Sequence, residues 1–283
     1  MKAEELIAKM PNLTAPAPAV TRLLQVLSLP DADHDDVICI VKQDGVLSAK
    51  LLAICNSARF GLAEPVGSVE QAVFYLGHGE IHRLIMAISF GVALSPTLPG
   101  YVIEDGELWR HSLVTAYATE RVLKAVSSVS LEPSIAYPAG LLHDIGKVVI
   151  SHALNAENQQ LIRQIVERGG HSLLEVEREV LGADHAEIGA CLLRQWRLPD
   201  NIVEAVANHH APPVKPRPQL SAIVHVADIM AHQVGSSPGI GSFAARPDEA
   251  AIEALGLGPV EIQNLVVETL DALDAVKEIL ALA

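Results

Sequence analysis

Apolar side chains recur along most of the chain at steps of three and four residues, the spacing that places them on one face of an α-helix. Two examples are Leu23, Leu24 and Leu27, and Val37, Ile38 and Val41. Sustained alternation of apolar and polar residues, which is typical of a half-buried strand, is hard to find. The sequence therefore predicts an all-α fold of roughly a dozen helices, since helices average about 11 residues.

Local signals indicate where several of these helices begin and end. In a capping box, a polar side chain and an acid or amide three residues later satisfy two free backbone N–H groups of the helix. This spacing is found at Ser68 with Gln71, Ser172 with Glu175, and Asp184 with Glu187. Helix breakers predict ends at Gly61, Gly77, Gly169 and near Pro199.

A breaker-rich segment, residues 94–106, separates a histidine-poor half from a half that contains nine of the twelve histidines. We predict an N-terminal helical subdomain over residues 1–100 and a histidine-rich helical subdomain over residues 101–283. Two further loops are predicted at residues 211–218 and 235–247. The last stretch, residues 259–283, is amphipathic and acidic. We expect it to form a helix that closes the core rather than one that binds a partner, because an apolar stripe normally faces a core.

Composition and charge limit the classes of partner. Half of the residues are apolar and 4% are aromatic, which suits packed helices better than a β-sandwich. The formal net charge of -14 opposes binding to nucleic acid, because duplex binding depends largely on Lys and Arg neutralising phosphates. The same charge opposes binding to an acidic membrane surface. We therefore predict neither DNA nor a membrane as a partner.

The chain has no visible export or anchoring signal. Met1 leads directly into an acidic, helix-forming stretch, without the basic and apolar regions of a signal peptide. The longest apolar run, residues 84–94, is too short to span a bilayer as a helix. Cys39, Cys55 and Cys191 have neither the spacing of a zinc site nor the density of a disulfide scaffold. We expect a reducing, cytoplasmic setting.

The most informative local string runs from Gly140 to Lys147 and contains the adjacent residues His143 and Asp144. On a helix, this pair can approach one metal centre from neighbouring directions, and Lys147 lies one turn further on the same side. An Asp carboxylate can bridge two divalent ions, and a lysine can hold a phosphate oxygen. Asp144 and Lys147 are therefore the candidate catalytic residues, although an isolated His-Asp pair is weak evidence.

Further side chains strengthen the prediction of a metal site. They are His111, His185, His209, His210 and Asp228. Asp228 lies in the apolar stretch 223–230, where an unpaired carboxylate would be costly and a metal ion would supply a partner. The alternative is that Asp228 pairs locally and that His111 and His185 bond to backbone carbonyls at the edge of the core.

The order of these residues resembles the ligand series of the HD superfamily of metal-dependent phosphohydrolases. Lys147 is similar to the lysine that follows the HD pair in members that cleave cyclic dinucleotides. Over roughly residues 8–235 the chain resembles the HDOD family more closely. The resemblance is carried by Pro11 to Leu13, Gln43 to Lys50, Asn56 to Ala58, Ser68 to Ala72, Leu76-Gly77 and Leu193 to Pro199. It implies an all-α HDOD fold, with the N-terminal helical subdomain packed on a C-terminal HD-type bundle.

The resemblance also implies a division of roles among the ligands. The main metal set would be His111, His143, Asp144 and Asp228. A second ion or the phosphate would be bound by His185, His209 and His210. We expect one or two divalent ions, and iron, manganese and zinc all accept shells of histidine and carboxylate.

One departure from the family pattern bears on activity. Relatives that cleave cyclic dinucleotides continue from the histidine pair into a loop that contains Gly-Tyr-Pro, whereas this chain continues with the proline-rich residues 211–218. This departure argues against cleavage of cyclic dinucleotides. From the family resemblance, we favour an output or regulatory module of bacterial signalling that keeps the metal site. The alternative is an active metal-dependent phosphohydrolase, acting on a nucleotide or another phosphoester. The expected partners are a signalling protein or a nucleotide second messenger.

Several remaining residues have simpler interpretations. Large aromatic side chains and single cysteines usually belong to cores. This assigns to the core Trp109, Trp196 and Cys55. His78 and His82 lie one helical turn apart, and we expect them on a solvated face rather than in a metal site. His225, three residues before Asp228, is expected to support the ligands from outside.

Overall fold

The computed structural model describes residues 3–8, 18–27, 34–126, 131, 133–168, 171–216, 219–240 and 247–280. Its α-helices, in chain order, are α1 (Ala3–Ile7), α2 (Pro18–Leu27), α3 (His34–Lys42), α4 (Gly45–Cys55), α5 (Val69–Leu94), α6 (Glu107–Ala125), α7 (Ala136–Leu142), α8 (Ile145–Ala153), α9 (Ala156–Arg168), α10 (Leu173–Leu181), α11 (His185–Gln195), α12 (Asp200–Asn208), α13 (Leu220–Gln233), α14 (Glu249–Leu255) and α15 (Pro259–Leu280). Short 3₁₀ turns occur at Ala58–Phe60, Pro99–Tyr101 and Pro133–Ile135. The predicted all-α fold is confirmed.

The predicted helix starts differ in how many of the two expected capping hydrogen bonds they form. Ser172 forms the full capping box, because its hydroxyl accepts from the backbone N–H of Glu175 and the Glu175 carboxylate accepts from the backbone N–H of Ser172. At Ser68 and Asp184, the side chain accepts the expected backbone hydrogen bond, whereas the residue three positions later bonds elsewhere. The prediction of a helix start is therefore confirmed at all three sites, and the prediction of a reciprocal hydrogen bond is confirmed only at Ser172.

The predicted helix ends also differ in outcome. Gly77 bends α5 instead of ending it, with φ 77° and ψ 160°, a conformation that glycine adopts at low cost. Gly61 follows a 3₁₀ turn with φ 54°. The break near Pro199 is confirmed, because α11 ends at Gln195 and α12 begins directly after the proline. Gly169 lies outside the described residues.

The core consists of two apolar clusters in the described part of the chain, and α6 contributes residues to both. This helix packs against α7, α13 and α15 and buries most of its side chains. One apolar cluster extends from Leu6 in α1 to Ile279 in α15. The first helix packs against α8 and α11, so residues of the N-terminal segment contact the histidine-rich half. The break between α5 and α6 falls in the breaker-rich segment, and the division into subdomains at residue 100 stays a prediction.

The last helix closes one side of this core. As predicted, α15 lies against α6 and α13 and buries Leu265, Val276 and Ile279. Within the described ranges, no single helix combines the length and apolar character that a bilayer span requires. Helix α14 and the first part of α15 meet those criteria only as a pair bent by 98°.

Individual side chains test the simpler interpretations. Trp109, Trp196 and Cys55 are buried, as predicted. Trp196 stacks on Phe90 with ring centroids 6.3 Å apart. The prediction of a solvated face was wrong for His82, which is 7% exposed. This residue lies in the second half of α5, where Ile81, Leu84 and the residues after them are buried on most faces of the helix, so the spacing from His78 did not identify a solvated face.

Helices α8 and α11 cross at two glycines, and this crossing positions a histidine. A Cβ atom on Gly146 would lie 1.9 Å from the carbonyl oxygen of His185 and 2.8 Å from the backbone nitrogen of Gly189. Only a residue without a side chain allows the two backbones to approach so closely. The crossing therefore brings the first residue of α11, His185, next to Asp144 at the start of α8.

We expect Gly146→Ala to lower the free energy of unfolding by about 1–3 kcal/mol, because the added methyl group forces α8 and α11 apart. Urea denaturation measures this loss. Gly45→Ala is the control, since a Cβ there meets nothing within 4 Å and the change should stay within about 1 kcal/mol. Equal effects of the two substitutions would contradict the crossing described above.

A second prediction concerns acid stability. Burial, with repulsion from Arg83, lowers the pKa of His82 from 6.5 to about 4. The unfolded chain then binds the proton more readily, so the free energy of unfolding falls as pH drops from 6.5 towards 4, by up to about 3 kcal/mol. We expect His82→Leu to lose less stability than the wild type between pH 7 and pH 4.5 in urea unfolding. The same pH dependence in both proteins would show that His82 titrates normally.

Candidate metal centre

Four helices and one helix junction bring the predicted ligands together. The contributions are His111 from α6, His143 and Asp144 from the junction of α7 and α8, His185 from α11, His209 and His210 from the end of α12, and Asp228 from α13. The expectation that the adjacent pair lies inside one helix was wrong. Side chains of neighbouring residues diverge by about 100° on a helix, and the break between α7 and α8 lets this pair converge.

Asp144 lies between two groups of imidazoles. Its Oδ2 atom is 3.5 Å from Nε2 of His143 and 3.8 Å from Nε2 of His111. Its Oδ1 atom is 3.2 Å from Nε2 of His185 and 3.8 Å from Nε2 of His209. Each carboxylate oxygen thus faces a different pair of histidines, which is an arrangement suited to a carboxylate that bridges two ions.

Asp228 and His210 complete the two groups. Asp228 Oδ1 is 3.1 Å from Nε2 of His111 and 3.6 Å from Nε2 of His143. Nε2 of His210 is 2.8 Å from Nε2 of His185. All of the predicted metal ligands therefore converge around Asp144, while their role in binding metal stays a prediction.

The centre is shielded from solvent. The exposed fractions are 0% for His111, His143 and His209, 1% for His185, 2% for Asp144, 5% for Asp228 and 8% for Lys147. His210 is half-buried. Charged groups at this depth are stable only when opposite charge or hydrogen bonds compensate for the lost water.

Three deeply buried histidines use the same ring nitrogen to fix their orientation. A carbonyl oxygen can only accept a hydrogen bond, so Nδ1 carries the hydrogen and Nε2 presents its lone pair to the centre. The acceptors, at 2.6–2.7 Å, are the carbonyl oxygens of Ser236 for His111, Gly140 for His143 and Val206 for His209. This is the tautomer that imidazole metal ligands adopt when the second nitrogen is held by the protein.

The donor set fits a divalent metal ion. Nε2 of His111 lies 3.2 Å from Nε2 of His143, so a cation or an added proton must lie between the two lone pairs. Ligand atoms about 2.1 Å from one ion are separated by about 3.0–3.4 Å, which agrees with that spacing. In the described part of the chain, the buried Oδ1 atoms of Asp144 and Asp228 and the Nε2 atom of His209 lack a partner with hydrogen-bond geometry.

The two buried carboxylates, Asp144 and Asp228, favour binding of positive charge at the centre. Burial opposes ionisation of Asp144, but Lys147 and His143 hold its pKa well below the usual value. Burial opposes the charge on Asp228 too, and His111 and His143 hold its pKa well below the usual value. For His143, burial disfavours the proton, yet the two carboxylates raise its pKa. Protons and metal ions would therefore compete for this centre.

The paired histidines at the end of α12 are held neutral. Burial, with repulsion from His143, lowers the pKa of His209 to about 3. Burial also holds the pKa of His210 well below its usual value. Both rings are neutral at pH 7 and so have the protonation state that a metal ligand needs.

Lys147 lies on the predicted side of the His-Asp pair. Its ammonium nitrogen is 2.5 Å from Oδ2 of Asp144. Burial disfavours its charge, but Asp144 outweighs burial and raises the pKa of the lysine. In this structure the lysine neutralises the carboxylate, and its predicted role in binding phosphate stays a prediction.

Sequence reasoning missed Glu177, which is 0% exposed. Its Oε2 atom accepts hydrogen bonds from Nδ1 of His185 at 2.7 Å and from the backbone N–H of His185 at 2.8 Å. Its Oε1 atom accepts from the hydroxyl of Tyr101 at 2.7 Å. Burial disfavours the charge on His185, but Glu177 raises the pKa of that histidine to about 9. Helix α10 has glutamates at three alternate positions, so spacing alone does not identify the buried one.

His232 was also missed, although a sequence signal existed. It lies one helical turn after Asp228 in α13, and its Nε2 atom is 3.3 Å from Asp228 Oδ1. Burial lowers its pKa to about 4, so the ring is neutral at pH 7. The spacing of four residues from a predicted ligand places a side chain on the same helix face and would have found it.

His225 supports the centre from outside, as expected. Its Nδ1 atom donates to the carbonyl oxygen of His209 at 2.8 Å, and its Nε2 atom accepts from the backbone N–H of Asp248 at 2.9 Å. This ring therefore joins the ligand-bearing end of α12 to the residue that caps α14.

The segment after α13 is tied to the centre and to the turn that contains Tyr101. Ser236 accepts the hydrogen bond from His111 described above. Ile240 donates its backbone N–H to the carbonyl oxygen of Tyr101 at 2.8 Å. Gly239 has φ 68°, and a Cβ there would lie 2.2 Å from that oxygen. Tyr101 thus contacts this segment through its backbone and Glu177 through its hydroxyl.

A comparison with protein families is decisive, because the profile of the HDOD domain matches residues 13–212. The chain belongs to the HDOD family. An uncharacterized protein from Treponema pallidum (strain Nichols) is 29% identical over an alignment of 211 positions that covers 72% of this chain and 40% of that protein. A Ribonuclease Y from Opitutus terrae is 29% identical over 151 residues, which are 53% of this chain and 21% of the relative. The chain thus spans less than half the length of either relative.

Solved structures share the HDOD fold. An HDOD domain protein of unknown function from Geobacter sulfurreducens matches with a TM-score of 0.75 at 23% identity, covering 98% of this chain and 96% of that one. A candidate phosphohydrolase from Shewanella amazonensis SB2B matches with a TM-score of 0.69 at 24% identity, covering 97% of each chain. A candidate signal-transduction protein from Marinobacter aquaeolei VT8 matches with a TM-score of 0.78 at 21% identity, covering 99% of this chain and 65% of that one.

We expect Glu177→Gln to weaken binding of Mn²⁺ by about 10–100-fold, because the carboxylate that orients His185 and makes its ring more basic is lost while the side-chain size is kept. Competition with a fluorescent chelator measures the affinity. Glu179→Gln, on the exposed side of the same helix, is the matched control and should bind like the wild type. Equal affinities for all three proteins would mean that Glu177 serves only the fold.

Proposed function

We propose that this HDOD protein is a regulatory module of bacterial signal transduction, built around a closed divalent-metal centre. The main support for this proposal is the burial of the predicted metal ligands, because six of the seven residues are at most 5% exposed. A hydrolase needs room for its substrate and a free coordination position on its metal. A centre enclosed by helices is better suited to organising those helices.

The position of Lys147 supports this interpretation. This is the side chain expected to bind a phosphate oxygen, yet its ammonium nitrogen pairs with Asp144 at 2.5 Å and the residue is 8% exposed. A phosphate would have to displace the carboxylate or enter a space that the packed helices now fill. The lysine thus acts as a counter-charge within the core.

Metal binding would couple distant parts of the chain. A bound divalent ion supplies the concentrated positive charge that Asp144 and Asp228 require, and iron, manganese and zinc all suit such ligands. The ligands come from α6, α11, α12, α13 and the junction of α7 and α8. An ion that binds the folded arrangement alone stabilises it by mass action. Metal occupancy would set the rigidity of the module, which a cytoplasmic signalling protein or a nucleotide second messenger would then sense.

The second candidate is an active metal-dependent phosphohydrolase. One observation favours it: the half-buried His210 and the partly exposed His232 lie at the edge of the centre, where a phosphoester could approach. In that case Asp144 would hold the metal and Lys147 would bind the phosphate. The local similarity to Ribonuclease Y adds support, whereas the net charge of -14 opposes a polyanionic substrate.

Metal analysis of the protein, purified without chelator and without a histidine tag, tests the proposed centre. We expect one or two divalent ions per chain, and we expect both His143→Ala and Asp144→Ala to lose them. His171→Ala, which removes an exposed histidine, should keep the wild-type content. Wild-type protein that stays metal-free after reconstitution with Mn²⁺, Fe²⁺ and Zn²⁺ would overturn the proposal.

A hydrolysis assay separates the two candidates. We expect metal-loaded protein to leave a chromogenic phosphodiester uncleaved, because the ligands are enclosed. Turnover that depends on Mn²⁺ or Fe²⁺ and disappears in Asp144→Ala would instead identify a phosphohydrolase. Activity that persists in Asp144→Ala would come from a contaminating enzyme, and His171→Ala should behave like the wild type.

A further inference from the structure

His232 lies beside the centre but outside the ligand set carried by the family resemblance. Its Nε2 atom is 3.3 Å from Asp228 Oδ1, and its ring centroid is 5.0 Å from that of His111. The ligand atoms of His111, Asp228 and His232 all lie within 4.8 Å of one another. These three residues therefore surround one volume that a single ion could fill.

The hydrogen bonds of His232 occupy Nδ1 and leave Nε2, the ring nitrogen that faces Asp228, available to a metal ion. Its Nδ1 atom is 2.9 Å from the hydroxyl of Ser237, and that hydroxyl donates its hydrogen to the carbonyl oxygen of His232 at 3.2 Å. The hydroxyl oxygen therefore accepts from Nδ1, and Nε2 presents a lone pair towards Asp228. This is the orientation already found for His111, whose Nδ1 donates to the neighbouring carbonyl of Ser236. Adjacent residues of one segment thus orient both rings towards the same place.

The exposure of His232 differs from that of the inner histidines. Its side chain is 14% exposed, against 1% for His111 and 0% for His143. An ion held by His111 and Asp228 would therefore face solvent on the side of His232. A metal ion with water in its solvent-facing coordination position can bind and activate a substrate. An imidazole in that position blocks access of water and substrate to the ion.

We propose that His232 is an additional ligand of the ion held by His111 and Asp228, and that it takes the coordination position that faces solvent. The inference rests on the proposed function, because it requires a bound divalent ion. It explains how the centre is closed: the fourth turn of α13 supplies a side chain where an open metal site would hold exchangeable water. Removal of this imidazole admits water to the ion while the inner ligands stay in place.

The test uses the full chain loaded with Mn²⁺, in the wild type and in His232→Ala. Water bound directly to Mn²⁺ accelerates the relaxation of bulk water protons, so relaxivity per bound ion reports access of water. We expect His232→Ala to bind Mn²⁺ about tenfold more weakly and to show higher relaxivity per bound ion than the wild type. His171→Ala is the matched control and should equal the wild type in both measurements.

Each outcome has a distinct meaning. Unchanged affinity and relaxivity in His232→Ala, with metal lost from His143→Ala, would overturn the role of His232 and leave the proposed metal centre intact. A wild type that binds none of Mn²⁺, Fe²⁺ and Zn²⁺ would overturn both. Circular dichroism checks that the variants fold, and His232→Gln repeats the test with a polar side chain of similar reach. Higher relaxivity in both His232 variants supports the proposal.

Discussion

Two carboxylates buried among imidazoles constrain the whole histidine-rich part of this protein. Asp144 and Asp228 are almost completely removed from water, and both stay ionised because positive or hydrogen-bonding groups surround them. Helices from distant parts of the sequence supply those groups. Since His111, His143 and His209 are each fixed through Nδ1 by a backbone carbonyl, the positions of their Nε2 atoms follow from the positions of the helices. The packing of the helices therefore determines the geometry of the centre.

Much of this arrangement could be predicted from the sequence, for identifiable reasons. Apolar spacing is a local property, so the helices and several of their starts, such as Ser172, were accessible without a structure. The predicted ligands were found because histidine and aspartate are uncommon in apolar helices and their order matched a known series. Convergence of His111 and Asp228 then followed from the fold that this order implied.

The remaining features depend on tertiary contacts that local patterns do not encode. The break between His143 and Asp144 lies just before the crossing of α8 and α11 at Gly146, and neither residue of the pair is itself a helix breaker. Glu177 looks like its exposed neighbours and is distinguished only by the approach of His185 and Tyr101. The burial of His82 follows from the packing of the second half of α5, which is buried on most of its faces from Ile81 onwards.

The turn that contains Tyr101 has a consequence for how the centre communicates with the surface. Its backbone holds the segment that orients His111, and its hydroxyl holds the carboxylate that orients His185. Both halves of the centre thus depend on one short surface-connected turn. Thermodynamic coupling is reciprocal, so any molecule that binds this turn more tightly in one metal state must change the affinity for metal by the same factor.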